Sequence, residues 1–209
     1  MLAGMLEEFR ASDALVLGIP AGGIAVAVET AGALNLPLDV AVVSKITLPW
    51  NSEAGYGAVA FDGTVMLNEE FLSRLNLSDL EIQTGIKKTA QKVSRRGTMF
   101  RGDRPTPDVK RPILLVDDGL ASGFTLRVAI KALRQNGAAN IILAVPTAHS
   151  ESAQLILKEV EAIYCPNLRS GPSFAVADAY EQWSDAEEQE VLRLLQEFKT
   201  SNDRSRPNR

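Results

Sequence analysis

"ILLVDDGLASGFT", residues 113–125, joins four apolar residues to two adjacent acids and then to a loop of small and hydroxylated side chains. Four apolar residues in a row with polar limits read as a strand buried on both faces, the kind a parallel sheet contains. The following "GFTLRVAIKALRQNG" has helical spacing and stops at Gly137, and "NIILAVP" supplies the next strand. Strand, helix and strand in that order predict a βαβ unit with a right-handed crossover.

The same grammar extends toward the N-terminus. "ALVLGIP" (14–20) reads as a buried strand and turn, "GGIAVAVETAGAL" (22–34) as a helix packed on a sheet, and "PLDVAVVSKI" (37–46) as a second strand. In "AVAFDGTVML" two short apolar runs flank Asp62-Gly63, a dipeptide that takes the positive φ angles of a tight turn, which predicts a hairpin insert. Ser78 and Glu81 have capping-box spacing ahead of a helix carrying Ile82, Ile86 and Val93 on one face. The glycines and prolines of "RRGTMFRGDRPTPDV" (95–109) predict a mobile loop. A further helix and short strand follow at 152–165, and Ser184 with Glu187 predicts a second capping box. The expected architecture is α/β: an open, mainly parallel twisted sheet with helices on both faces, forming one domain over 1–200 with a disordered tail at 201–209.

Bulk properties restrict the chemistry. A chain of 209 residues with 45% hydrophobic content can bury a sizeable core. A net charge of -4 argues against a nucleic-acid coat or a membrane-surface protein, and no apolar run reaches spanning length. Cys165 is the only cysteine, which rules out an internal disulfide; with no signal segment visible, the expected location is cytoplasmic. His149 is the only histidine, too few for a His-rich metal site, and no role is assigned to it.

In an open α/β sheet, ligands bind beyond the carboxyl ends of the strands, where Asp117 and Asp118 fall. Adjacent carboxylates repel each other, so a ligand must reward them. A sugar diol offering two hydroxyl donors would do so, and so would a hydrated cation. The next residues, Ala121, Ser122, Gly123, Phe124 and Thr125, open a helix whose first N–H groups lack internal partners and favour phosphate. A diol reader joined to a phosphate cradle describes a sugar phosphate. An ordinary capped helix explains Ser122 and Gly123 but leaves the acid pair without a reason. The loop lacks the Walker lysine and the chain lacks G-x-G-x-x-G, so a nucleotide triphosphatase and a dinucleotide oxidoreductase rank lower.

"ILLVDDGLASGFT" resembles the phosphoribosyl pyrophosphate signature of type I phosphoribosyltransferases, and "GIPAGGIAVAVETAGALNLPLDVAVVSKI" and "LNEEF" are similar to bacterial phosphoribosyltransferase-like proteins. The resemblance implies that Asp117 and Asp118 bind the ribose hydroxyls and that residues 121–125 bind the 5'-phosphate. It implies a pyrophosphate loop at Ala21, Gly22 and Gly23, with a mobile loop bringing Arg95, Arg96 and Arg101 over the leaving group, Arg101 as a catalytic cation. It departs at Ala21, where related sequences commonly carry arginine; Lys45 is the nearest candidate to compensate. A small hood over 164–183 is expected to hold the base, with Tyr164 and Phe174, and also Tyr180 or Trp183, able to stack on a ring, although most of these aromatics are expected to cover the sheet edge as core. Ala121 stands where 6-oxopurine members carry Asp, which fits adenine-type members and other acceptors alike. The implied substrates are phosphoribosyl pyrophosphate and a nitrogenous base. Mg²⁺ is expected as cofactor, held by substrate oxygens and water rather than by protein alone, and a homodimer fits the resemblance. A non-catalytic, ligand-binding regulatory protein on the same fold is the alternative that Ala21 motivates.

Overall fold

A computed structural model describes residues 1–104, 107–171, 173–184 and 186–205. One turn of helix, α1 (Leu2–Met5), precedes β1 (Leu15–Gly18), all four of whose residues are buried. The chain then turns into α2 (Gly23–Leu34), which ends on a left-handed Asn35. The stretch expected as a second strand divides in two. β2 (Leu38–Val40) lies parallel to β1, whereas β3 (Val43–Leu48) begins a separate antiparallel sheet with β4 (Asn51–Ala60) and β5 (Val65–Leu67). A buried apolar run, Val40, Ala41, Val42 and Val43, crosses the junction, so no change of periodicity marks the change of partner. The β4–β5 turn is the expected one: Gly63 has φ 89°, and an Asp62 carboxylate oxygen accepts from Thr64 N at 2.9 Å.

α3 (Glu69–Leu72) is capped by the Asn68 side chain, and α4 (Asp79–Arg101) by both halves of the Ser78/Glu81 box. α4 corrects the loop expected over 95–109, because it runs through Gly97 and stops at Gly102. One helical glycine costs about 1 kcal/mol relative to alanine. Val93 and Phe100, buried on either side of it against the second sheet, outweigh that cost. Of the remaining loop, residues 105 and 106 lie outside the described residues.

β6 (Ile113–Val116) and α5 (Phe124–Gln135) match expectation, with Gly137 at φ 95° just past the helix. Then come β7 (Ile141–Ala144), β8 (Thr147–His149), α6 (Ser150–Ile156), β9 (Ala162–Tyr164) and β10 (Asn167–Arg169), which pairs with β8. A 3-10 turn at Val176–Ala179 leads toward α7 (Glu188–Ser205). α7 begins four residues after Ser184, so Ser184 does not cap it; Asp185 lies outside the described residues. The helix occupies 201–205 of the expected tail, and 206–209 lie outside the described residues. No helix among the described residues is long and apolar enough to cross a membrane.

The main sheet has the order β2-β1-β6-β7-β9, parallel throughout. Alternate strand residues face opposite layers. Leu15 and Leu17 pack with α5 residues such as Leu126 and Ala129, whereas Val16, Leu114 and Val116 pack with Ala27 and Ala31 of α2. The chain steps from β1 to β2 on one side and later to β6 on the other. The carboxyl ends of β1 and β6 therefore form a topological switch point, where an α/β sheet opens a crevice.

Candidate active site

A cleft of about 410 Å³ occupies that switch point. Its lining includes residues 19–22 after β1, Asp117 and Asp118 at the end of β6, and residues 121–125 leading into α5. Three of the expected groups thus meet in one place.

The two strand-end loops interlock. A Cβ on Gly22 would fall 1.9 Å from Asp118 Oδ2, and one on Gly23 would fall 2.8 Å from Asp117 Cα. No other residue permits this approach, so the glycines serve the acid pair as well as helix packing. The Pro20–Ala21 peptide between these elements is cis. An Asp117 carboxylate oxygen accepts from Asp118 N at 2.9 Å. Burial, reinforced by the charge of Asp118, pushes the Asp117 carboxyl well above the usual range, and burial also raises Asp118. The charge of Lys45, on the cleft wall, opposes both shifts.

Gly123 stands immediately before α5 with φ 72°, and a Cβ there would lie 2.7 Å from Ile156 Cδ1. Positive φ and lack of space both demand glycine. The turn brings the first N–H groups of α5, and the positive end of its dipole, to the cleft beside the Ser122 and Thr125 hydroxyls. No basic side chain belongs to this loop.

The cations come from elsewhere. Lys45 projects from β3, and Lys92 and Arg96 line the cleft from α4. Arg96 is 14% exposed, and its Nε donates to Glu188 Oε1 at 2.8 Å. Arg95, half in solvent, donates to both oxygens of the same carboxylate, and the two guanidiniums pull the Glu188 carboxyl down to about 2. Arg101 does not reach the cleft. It donates to Asp39 at 2.9 and 3.0 Å and lines a different cavity, with Phe61 and Val93. The correction follows from helix geometry: at 3.6 residues per turn, Lys92 and Arg96 share a face, whereas Arg101 is turned about 140° from Arg96. Lys92 is not among the residues expected at the cleft; it joins them because α4 continues past it and puts it one turn before Arg96.

The hood contributes differently from expectation. Val176 lines the cleft and crowds Gly119, where a Cβ would lie 2.6 Å from its Cγ1. The Tyr180 hydroxyl donates to the Asp118 carbonyl at 2.6 Å, and burial followed by the nearby carboxylate charges pushes this phenol up to about 12. Tyr164 points away: its hydroxyl donates to Glu8 at 2.6 Å and its ring meets Phe9 edge-on. Phe174 packs against His149, ring centres 5.7 Å apart, and the His149 Nε2–H donates to the Gly171 carbonyl. None of the four aromatic candidates, Tyr164, Phe174, Tyr180 and Trp183, lines the cleft. No group of three or more His, Cys, Asp or Glu among the described residues could hold a metal ion.

Residues 62–176 match the family model of the phosphoribosyl transferase domain. The chain belongs to the phosphoribosyl transferase family. The match includes the acid pair and the loop before α5 but begins after the β1 turn. Over 197 residues, 93% of the chain, there is 32% identity with a Mycobacterium tuberculosis protein named "Putative phosphoribosyl transferase Rv0571c". The chain covers 44% of that relative, so it spans less than half its length. The crystal structure of TT1426 from Thermus thermophilus is 29% identical with a TM-score of 0.71, covering 94% of this chain and 93% of that one. The fold expected from sequence, a mainly parallel α/β sheet of this family, is the one found.

Proposed function

We propose that this phosphoribosyl transferase domain moves a 5-phosphoribosyl group from phosphoribosyl pyrophosphate to a nitrogenous base. The observation that carries the reading is the junction of a buried carboxylate pair with an amide-rich helix start in one cleft. Two ribose hydroxyls donate to Asp117 and Asp118, giving the buried carboxylates the hydrogen bonds that burial denies them. The 5'-phosphate accepts from the N–H groups and hydroxyls of residues 121–125. The turn at Ala21, Gly22 and Gly23 lies beside the pair with no side chain larger than the Ala21 methyl to obstruct a diphosphate.

In the reaction the C1'–O bond breaks and its electron pair leaves with pyrophosphate. The acceptor nitrogen then gives its lone pair to C1' and loses its proton to solvent. The hydrogen bonds from the ribose hydroxyls favour the ionised form of the acids, and that negative charge favours the positive charge that develops on the ring. No protein nucleophile is required. Two adjacent carboxylates without a third ligand suit Mg²⁺ held through water and substrate oxygens, the habit of an ion that keeps most of its hydration. Asp117 and Asp118 would hold it, and bound there it supplies charge neutralisation for the departing diphosphate.

The test is pyrophosphate release from phosphoribosyl pyrophosphate and Mg²⁺ across a panel of purine and pyrimidine bases. Release with at least one base is expected; release with none rejects the transferase reading. Ala21 favours one second reading, a binding protein without turnover, because the turn lacks the cation expected there. Tight donor binding without release, and activity gained in Ala21→Arg, would support it.

A further inference from the structure

The loop at 121–125 borders a second cavity as well as the cleft. That cavity, of about 570 Å³ against about 410 Å³ for the cleft, lies between β4, α3 and the start of α5. Lys45, Ser122, Phe124 and Thr125 line both spaces, whereas the acid pair and the turn at 19–22 line only the cleft. A phosphate held at the start of α5 therefore has open space on its far side. A 5'-phosphate hangs from the end of the sugar remote from C1', so whatever fills the second cavity lies away from both the leaving group and the acceptor base.

The lining of this cavity suits a nucleoside. Phe71 from α3 and Phe124 from α5 supply two aromatic rings, the side chains on which a flat base stacks. Gly55 and Gly57 leave the β4 wall free of side chains there, and a Cβ on Gly55 would come 3.3 Å from the Lys45 Cβ. The Asn68 side chain has a donor to spare: its Oδ1 accepts from Phe71 N at 3.0 Å to cap α3, and its Nδ2 has no hydrogen-bond partner among the described residues. Glu70, paired with Arg74 at 2.5 Å, adds acceptors and donors at the same end, and a nucleobase edge offers both kinds of group in return. Lys45 marks the border between the two spaces, with no hydrogen bond or ion pair among the described residues. A cation so placed suits a second phosphate bonded to the first.

We propose that the cleft and the second cavity together take a ribose 5-phosphate whose phosphate is joined through a second phosphate to a nucleoside, a ligand of the ADP-ribose class, with its base at Phe71 and Phe124 and its second phosphate at Lys45. The inference rests on the ribose phosphate reading above and extends it beyond the donor. Such a molecule fills the sugar site with no pyrophosphate at C1', so it competes with the donor instead of reacting.

Calorimetry with ribose 5-phosphate and ADP-ribose tests the extension. ADP-ribose is expected to bind the wild-type protein about tenfold tighter or more, the gain from a stacked base, and to displace ribose 5-phosphate. Phe71→Ala and Asn68→Asp, both away from the cleft, are each expected to remove most of that gain while ribose 5-phosphate affinity stays within about twofold. Aspartate keeps a capping oxygen for α3, so Asn68→Asp decides the matter if Phe71→Ala does not fold. ADP-ribose that binds no tighter than ribose 5-phosphate, a gain that survives both variants, or ADP-ribose that binds alongside ribose 5-phosphate overturns the extension and leaves the ribose phosphate reading intact. Wild-type protein that binds neither probe overturns both.

Discussion

At the scale of single residues, the acid pair is held in the cleft at the expense of the fold. The Asp117 carboxyl has its pKa raised by burial and by Asp118, so the folded chain keeps a proton that the unfolded chain releases near pH 3.9. The sign follows from linkage: stability is full below the unfolded value and declines as pH rises through the raised folded value. Asp117→Asn keeps an oxygen to accept from the Asp118 amide. It is expected to melt higher than wild type at pH 7, by roughly 2–4 °C for each kcal/mol relieved, with the gain vanishing near pH 4. The same variant is expected to lose ribose 5-phosphate binding by about tenfold or more, as a hydrogen bond to an ionised group disappears. Thermal melts across pH together with calorimetry check both halves; a variant no more stable than wild type at pH 7 rejects the account of the pair. The position of these two acids at a strand end was legible in sequence because it is local, four apolar residues running straight into them, whereas the positive φ of Gly123 was not read from its neighbours. The partner of Arg101 was not, since Asp39 lies 62 residues earlier and nothing near either residue announces the other.

At the scale of elements, α4 is where sequence and structure diverge most, and where α7 becomes part of the site. Gly97 reads as a breaker in isolation, but the buried Val93 and Phe100 hold the helix together across it. Tertiary packing overrode a local propensity of about 1 kcal/mol. The strand change from β2 to β3 was hidden for a related reason, since the buried run from Val40 to Val43 joins the two strands into what looks like one. Glu188 on α7 joins Arg95 and Arg96 on α4, and its lowered carboxyl means the joint contributes stability above the ordinary pKa of 4.5 and loses it as pH falls toward about 2. Glu188→Gln is expected to cost about 1 kcal/mol at pH 7, a modest figure because Arg95 is half in solvent and water screens the pair. Denaturant titrations of the two proteins should converge as the pH approaches 2; a constant gap would show that packing rather than charge makes the joint.

At the scale of the whole molecule, the order β2-β1-β6-β7-β9 puts the ends of β1 and β6 side by side, and that adjacency assembles the cleft from segments about a hundred residues apart in sequence. The parallel α/β plan was readable because apolar runs alternate with helical spacing. The destinations of Tyr164 and Phe174 were not, because an aromatic ring packs as readily against a terminal helix or a histidine as over a ligand. The Tyr180 hydroxyl fastens the rim to the carbonyl of Asp118, and the Trp183 indole sits 5.1 Å from the Tyr180 ring. The molecule thus carries its own optical gauge. Trp50 is the only other indole, so in Trp50→Phe the emission of Trp183 alone reports what happens at the strand end. Titrating ribose 5-phosphate into that variant is expected to shift the emission, and adding Tyr180→Phe to silence most of the response without an external dye.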